Sequence, residues 1–439
     1  MYQELSIKII YLYLIFLCNI FFGYGFQILT FFNIPLNYIF LLLGIAIFKF
    51  NHSFLILKNL KLQGIILAWI LFNLTKIIFG IAEHGLIAIR DASFSIDIFF
   101  LIITLNLLKP DDLINKFKTL LKYCFIILIL FILLWFAKSI VREFDIIVTS
   151  PTGQRAYLFF NFQTLSILCL WFSFYLLIFK NEINKNKILP VFIFLALTIF
   201  TLVVFQRRYI YLIYISILIL SLFLNPKKSL KLFLLIFFGL LSLPILNYIN
   251  LIPDGYLGRA DNISFFIDHL SSTFSKNISE YDAFAGARST AEIRLFWWKN
   301  ILLTNLSNYS YFFFGQDYGI SLTNFIVGKS IYVREPHNMY LTIFARTGLI
   351  GSLIYIILTY KLIIVWIEAY KISRKKMYLN ENKILLFLMV YIISIYIGNI
   401  SDSMLTSNYY SIIFNISWAI IIIVYLKLKK KINENFTNS

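Results

Sequence analysis

The sequence predicts an all-α polytopic membrane protein with about twelve transmembrane helices and one large loop on the outer face. Three observations predict it. Hydrophobic residues make up 60% of the 439-residue chain and charged residues 14%, too little polar cover for a water-soluble surface. Apolar runs near span length recur along the whole chain. The connections between them alternate between lysine-rich and lysine-poor, as the positive-inside rule requires.

A membrane-crossing helix needs about 20 mainly apolar residues, fewer where flanking side chains snorkel. On that template the runs fall near 6–23, 35–50, 63–80, 92–108, 122–141, 157–179, 188–205, 209–224, 229–250, 338–360, 383–399 and 410–426. No small-residue cleavage site follows the first run, which reads as an uncleaved signal anchor. Residues 1–250 hold nine runs, 251–336 form one long connection, and 337–439 hold the last three with a basic tail. The 3 cysteines, Cys18, Cys124 and Cys169, all lie in apolar runs and read as small buried hydrophobes.

Lysines fix the orientation. Lys49, Lys58 and Lys61, then Lys109, Lys116, Lys118 and Lys122, then Lys180, Lys185 and Lys187, then Lys227, Lys228 and Lys231 occupy alternate connections. Lys371, Lys375, Lys376 and the tail Lys427–Lys431 continue the series and place both termini in the cytoplasm. The net charge of +18 is therefore topogenic, and no nucleic-acid partner is expected. Of the arginines only Arg374 falls in a lysine-rich connection. Arg90, Arg142, Arg155, Arg207, Arg208, Arg259, Arg288, Arg294 and Arg334 map to the opposite face or its rim, and Arg346 lies inside a run. Lysine would serve if a point charge were enough, whereas the planar guanidinium grips phosphate with two hydrogen bonds. Anchoring to lipid headgroups is the plainer role for the same residues.

The long connection carries Ser289-Thr290-Ala291-Glu292, the pattern of a capping box, followed by Phe296, Trp297, Trp298, Ile301 and Leu302. A helix starting there would place Arg288 just before its first turn and Arg294 within it, and tandem tryptophans suit a membrane interface. The connection ends in Arg334-Glu335-Pro336-His337-Asn338-Met339-Tyr340-Leu341. Pro336 keeps Glu335 out of a helix, so the tenth run begins near His337, with Asn338 as its cap. A helix N-terminus disfavours imidazolium, and a neutral histidine is what a general base requires. His337 also reads as an interfacial histidine bonded to a loop carbonyl, as do His84 and His269. Arg207-Arg208 occupy a tight turn where a lipid pyrophosphate would emerge, or simply fix helix ends. Gly348 and Gly351 read as packing residues that admit a neighbouring helix.

His337-Asn338, Tyr340-Leu341 and, further on, Gly348-Leu349-Ile350-Gly351 resemble the C-terminal signature of the O-antigen polymerase and O-antigen ligase superfamily. Arg294 with Trp298, then Phe314-Gly315 and Gly319, is similar to the family's stretch before its histidine, and Arg207-Arg208 stand in the place of its arginine-bearing turn. The resemblance covers residues 200–351, and earlier residues share only the topology. It implies a fold of the GT-C glycosyltransferase type in the bacterial inner membrane, with the active site facing the periplasm. His337 would be the catalytic base or the residue that orients the acceptor, with Arg294 and Arg207 or Arg208 holding undecaprenyl pyrophosphate and Arg288, Arg334, Asn338 and Tyr340 lining the substrate site. The reaction would join a lipid-linked oligosaccharide to the next lipid-linked repeat without metal or other cofactor. Membrane lipid and a chain-length regulator protein would be its other partners. Transfer to lipid A core, as by a ligase, uses the same donor site. A lipid-linked oligosaccharide flippase is the rival of another class, and no inverted hydropathy repeat supports it.

Overall fold

The computed structural model describes residues 2–107 with short breaks, 113–135, 146–149, 155–157, 167–175, parts of 193–202, then 208–224, 285–323 and 334–437 apart from 375–377. The run expected near 229–250, most of those near 188–205 and 157–179, Arg207, and residues 251–284 and 324–333 of the long connection lie outside the described residues.

Among the described residues the regular structure is helical except for two small antiparallel pairs. In chain order the helices are α1 (Tyr2–Phe22), α2 (Leu36–Ile47), α3 (Asn51–Asn59), α4 (Gln63–His84), α5 (Ile87–Asp91), α6 (Ser93–Ile96), α7 (Ile98–Leu107), α8 (Leu113–Trp135), α9 (Arg208–Leu224), α10 (Ala285–Ser307), α11 (Tyr309–Phe314), α12 (Met339–Ser373), α13 (Leu379–Gly398) and α14 (Asn408–Thr437). Strands β1 (Thr30–Phe31) and β2 (Ile34–Pro35) pair Thr30 with Pro35, and β3 (Ile147–Thr149) and β4 (Arg155–Tyr157) pair Val148 with Ala156.

Among the described residues 5 helices are long and apolar enough to cross a membrane: α4, most of α8, α12, α13 and α14. The count becomes 6 if α2 and α3, bent by 91° at their junction, form one broken span. The runs near 6–23, 92–108 and 209–224 appear as shorter apolar helices, Ile7–Phe22, Ser93–Leu107 and Tyr209–Leu220. These helices mark a membrane protein.

The middle of the bundle is α14. Its residues from Ile412 to Val424 are almost all buried, against α7, α12 and α13. A helix that is apolar on every side has no face to give to a polar medium and is placed at the centre. Cys124 and Cys169 are likewise buried, and all three cysteines are free thiols.

Charge separates along the bundle. At one end Lys361 donates to the carbonyl of Lys61 (2.9 Å), Lys431 to Glu381 (3.0 Å) and Lys118 to Asn380 (3.2 Å). At the other end of α12 stand His337, Arg294, Arg334 and Asp402. The helix α12 that joins the two ends is 35 residues long and carries a break at Gly348.

One helix boundary differs from expectation. Ser289 does not open a helix, because α10 already begins at Ala285 and places Ser289–Glu292 and Arg288 inside it. Ala285 and Ala287 are strong helix formers, and a capping-box pattern fixes a terminus only where the preceding residues cannot continue the helix.

Candidate active site

The stretch Arg334–Asn338 is a short irregular crossing into α12. Asn338 caps that helix, its side-chain oxygen accepting the Leu341 N–H (3.1 Å). His337 has φ 53°, and Lys61 is its one companion among the described non-glycine residues with positive φ. The left-handed conformation costs an L residue about 1–2 kcal/mol, so the surroundings must hold it. They do so on three sides. Trp298 of α10 donates its indole N–H to the Pro336 carbonyl (2.8 Å), the Met339 N–H donates to Asn399 (2.9 Å), and the His337 ring meets Asp402.

His337 Nδ1 lies 3.0 Å from Asp402 Oδ1, and both side chains are 34% exposed. An ionised carboxylate only accepts, so the proton of this bond belongs to Nδ1, and it is the Nδ1–H tautomer of a neutral ring that presents a lone pair on Nε2. Asp402 is itself fixed: Oδ1 also accepts the Ser403 N–H (2.9 Å), and its own N–H donates to Gly398 (2.9 Å) at the end of α13. The Trp297 ring stands 6.5 Å from the imidazole. Arg294, one turn before Trp298, donates from one guanidinium nitrogen to the Ser401 carbonyl (2.9 Å). The helix α10 thus braces both arms of the His337–Asp402 pair and sets a guanidinium beside it.

A second constellation lies deeper. Asp91 receives Arg334 (2.8 and 3.3 Å), Arg346 (3.0 Å) and the Gly319 N–H (3.1 Å). Arg346 is fully buried and donates also to Glu335 (3.2 Å) and to the Asp317 carbonyl (2.8 Å). Lys76 donates to the carbonyls of Phe314 (2.7 Å) and Gly315 (3.0 Å) and lies 3.7 Å from Asp317. Three basic and three acidic side chains therefore meet. Burial pushes the Glu335 carboxyl above its ordinary range, and Arg346 beside it opposes that shift.

The residues expected at the site divide accordingly. His337 and Arg294 come together. Arg334 is bound to Asp91 and to the Gly319 carbonyl (2.6 Å), Asn338 is occupied as a helix cap, and the Tyr340 hydroxyl donates to Tyr396 of α13 (2.7 Å). Arg288 lies on α10 and Arg208 is the first residue of α9; their side chains are outside the described residues. Ile213 of α9 packs near Gly398, which places the start of α9 at the His337 end.

Asp402 and Asp91 escaped the sequence reading. Each lies in a connection between apolar runs, and their partners are far away in the chain. A signal existed for the deeper group, because Lys76 and Arg346 sit inside apolar runs and intramembrane cations require partners. No model of a known protein family matches the chain, and no curated protein matches it.

Proposed function

We propose that the protein is a membrane-embedded glycosyltransferase of the O-antigen polymerase type, with about twelve transmembrane helices in a GT-C-like arrangement and its site facing the periplasm. The observation that carries this reading is the His337–Asp402 pair braced by Arg294 at the arginine-rich end of the bundle. A base oriented by a carboxylate, beside a cation for a leaving phosphate, is what such a transfer needs.

The acceptor is a sugar hydroxyl of a lipid-linked repeat unit. Nε2 of His337 takes the hydroxyl proton as the oxygen attacks the anomeric carbon of the donor glycan. The bond from that carbon to the pyrophosphate oxygen breaks, and the electron pair leaves with undecaprenyl pyrophosphate. Arg294, with Arg207 or Arg208, neutralises the developing charge. Asp402 keeps the Nδ1 proton in place and stabilises the imidazolium that forms. Arg346, which the sequence leaves without a role, belongs to the buried frame under the site.

Purified protein in lipid with a synthetic lipid-linked repeat tests this reading. His337→Ala should slow chain extension by about 10²–10⁴-fold, the usual share of a general base, and Arg294→Lys should lose most of it. Extension at the unmodified rate by both variants would sink the assignment. Extension should persist in a chelator, since arginine supplies the charge neutralisation. In cells, deletion should leave lipopolysaccharide bearing single repeats; loss of all repeats would mean transfer to lipid A core instead.

A further inference from the structure

We infer that Arg294–Leu322 is a re-entrant segment: it enters the membrane beside α12 from the His337 end, turns at Gly315, returns to the same side, and presents an apolar stripe to the acyl chains of that leaflet.

Two helices measure its depth. Along α12, Trp298 bonds the Pro336 carbonyl at the mouth, Asn305 reaches the carbonyls of Phe344 and Ala345 (both 3.4 Å), and the Gln316 N–H donates to Ala345 (2.6 Å). A Cβ on Gly315 would run into the backbone of Arg346 and Thr347. Arg346 is eight residues beyond the cap Asn338, about 12 Å at 1.5 Å per residue. Along α4, a Cβ on Gly319 would meet His84, and one on Gly80 would meet the Tyr318 carbonyl. The carbonyls of Phe314 and Gly315 accept from Lys76, eight residues short of His84, again about 12 Å. The whole of α4 has 22 residues, close to the thickness of a hydrocarbon core of about 30 Å. Both measures put the turn roughly a third of the way across.

Irregular backbone survives at membrane depth only where its polar groups are satisfied inside the protein. That condition is met here. The Gly315 N–H donates to Tyr311 (2.9 Å), the Gln316 N–H to Ala345, Lys76 covers two carbonyls, and Arg346 covers the Asp317 carbonyl. The two cations inside apolar spans, each costly alone, are thereby explained as the donors that hold this turn.

The stripe fixes the partner. Trp297, Ile301 and Asn305 of α10 are buried, while Leu295, Phe296, Leu302, Leu303 and Leu306 on the opposite face are exposed. At 100° per residue these five cover one continuous sector. Lys299 also falls within it, at the shallow end where its amine can snorkel upward. Exposed Ile78 and Phe79 of the span α4 are apolar at comparable depth, as a surface that meets lipid is. This inference does not rest on the glycosyltransferase reading.

The test places a single cysteine at Leu306 or Leu302, or at Glu434 as an exposed control at the far end, with Cys18, Cys124 and Cys169 replaced by alanine. The full-length protein is labelled with a small fluorophore and reconstituted in phosphatidylcholine vesicles. Bromine on the acyl chains should quench the Leu306 and Leu302 labels several-fold more than the Glu434 label, and aqueous iodide should show the reverse order. Iodide quenching at Leu306 equal to that at Glu434 would overturn the proposal, and so would quenching by neither agent, which means a protein cover. If the cysteine-free chain fails to fold, a background in which only the half-buried Cys18 is replaced serves, because Cys124 and Cys169 are buried.

Discussion

His337 and Asp91 each concentrate several constraints on one side chain, and each predicts what its partners do. Replacing Asp402 by Asn keeps the shape but lets the amide nitrogen face Nδ1, which favours the tautomer with its proton on Nε2. In the proposed reaction, extension should fall by about a hundredfold or more, with thermal stability unchanged, and Asp402→Glu should restore part of it. A loss of stability equal in both variants would make Asp402 structural only. Asp91 is different, because both Arg334 and Arg346 lean on it. Asp91→Asn leaves two guanidinium groups underpaired and should cost about 3–5 kcal/mol, read as a lowered melting temperature in detergent. Glu335→Gln should cost less. Burial raises the folded Glu335 pKa above its ordinary 4.5, so its stabilising contribution is fully present below that value and lost as pH rises through the folded pKa. The variant should flatten that limb of the stability profile. At this scale His337 and Arg346 were legible, since a rare histidine and a charge in an apolar run stand out. Their carboxylate partners were not, because residues 91, 335 and 402 meet them only through tertiary packing.

The elements show why glycine was read as packing and how much more two of them do. Gly348 sits inside α12 with φ 60° and ψ −162°, breaking the helix. A Cβ there would run into the backbone of Phe313 and Phe314, just as one on Gly315 would meet Arg346 and Thr347. The two glycines let α11 and α12 touch backbone to backbone, and that contact sets the Phe314 and Gly315 carbonyls where Lys76 reaches them. Gly348→Ala combines a left-handed penalty of about 1–2 kcal/mol with overpacking of about 1–3 kcal/mol. It should lower the melting temperature sharply and leave little monodisperse protein on size exclusion. Gly64→Ala is the matched control: nothing lies within 4 Å of its Cβ, and alanine is the better helix former by about 1 kcal/mol. The spacing of Gly348 and Gly351 announced a close approach, but not the break at Gly348, which depends on the segment that packs there. The cap at Asn338 was legible because a polar residue follows proline at the edge of an apolar run. The start of α10 was not, since alanines upstream extended it.

At the scale of the whole molecule, Lys118, Lys361 and Lys431 lie at one end of the described bundle and Arg294 and Arg334 at the other, and this polarity was the most legible feature of the sequence. It follows from where the charges fall along the chain and needs no tertiary contact, unlike the order of packing, in which α14 takes the centre although it is the last of the described helices. The Lys61–Lys361 and Glu381–Lys431 contacts put the starts of α4 and α13 and the last turns of α14 at the lysine end. The positive-inside rule predicts that this end faces the cytoplasm, and the proposed reaction requires the His337–Asp402 pair at the opposite, periplasmic face. Reporter fusions test the orientation directly. A fluorescent protein that matures only in the cytoplasm should glow when fused after Ser439, and an alkaline phosphatase that folds only in the periplasm should be active when inserted between Ile400 and Ser401. The opposite pair of results would place His337 in the cytoplasm, where a periplasmic lipid-linked donor is out of reach, and would end the proposed function whatever the chemistry of the pair.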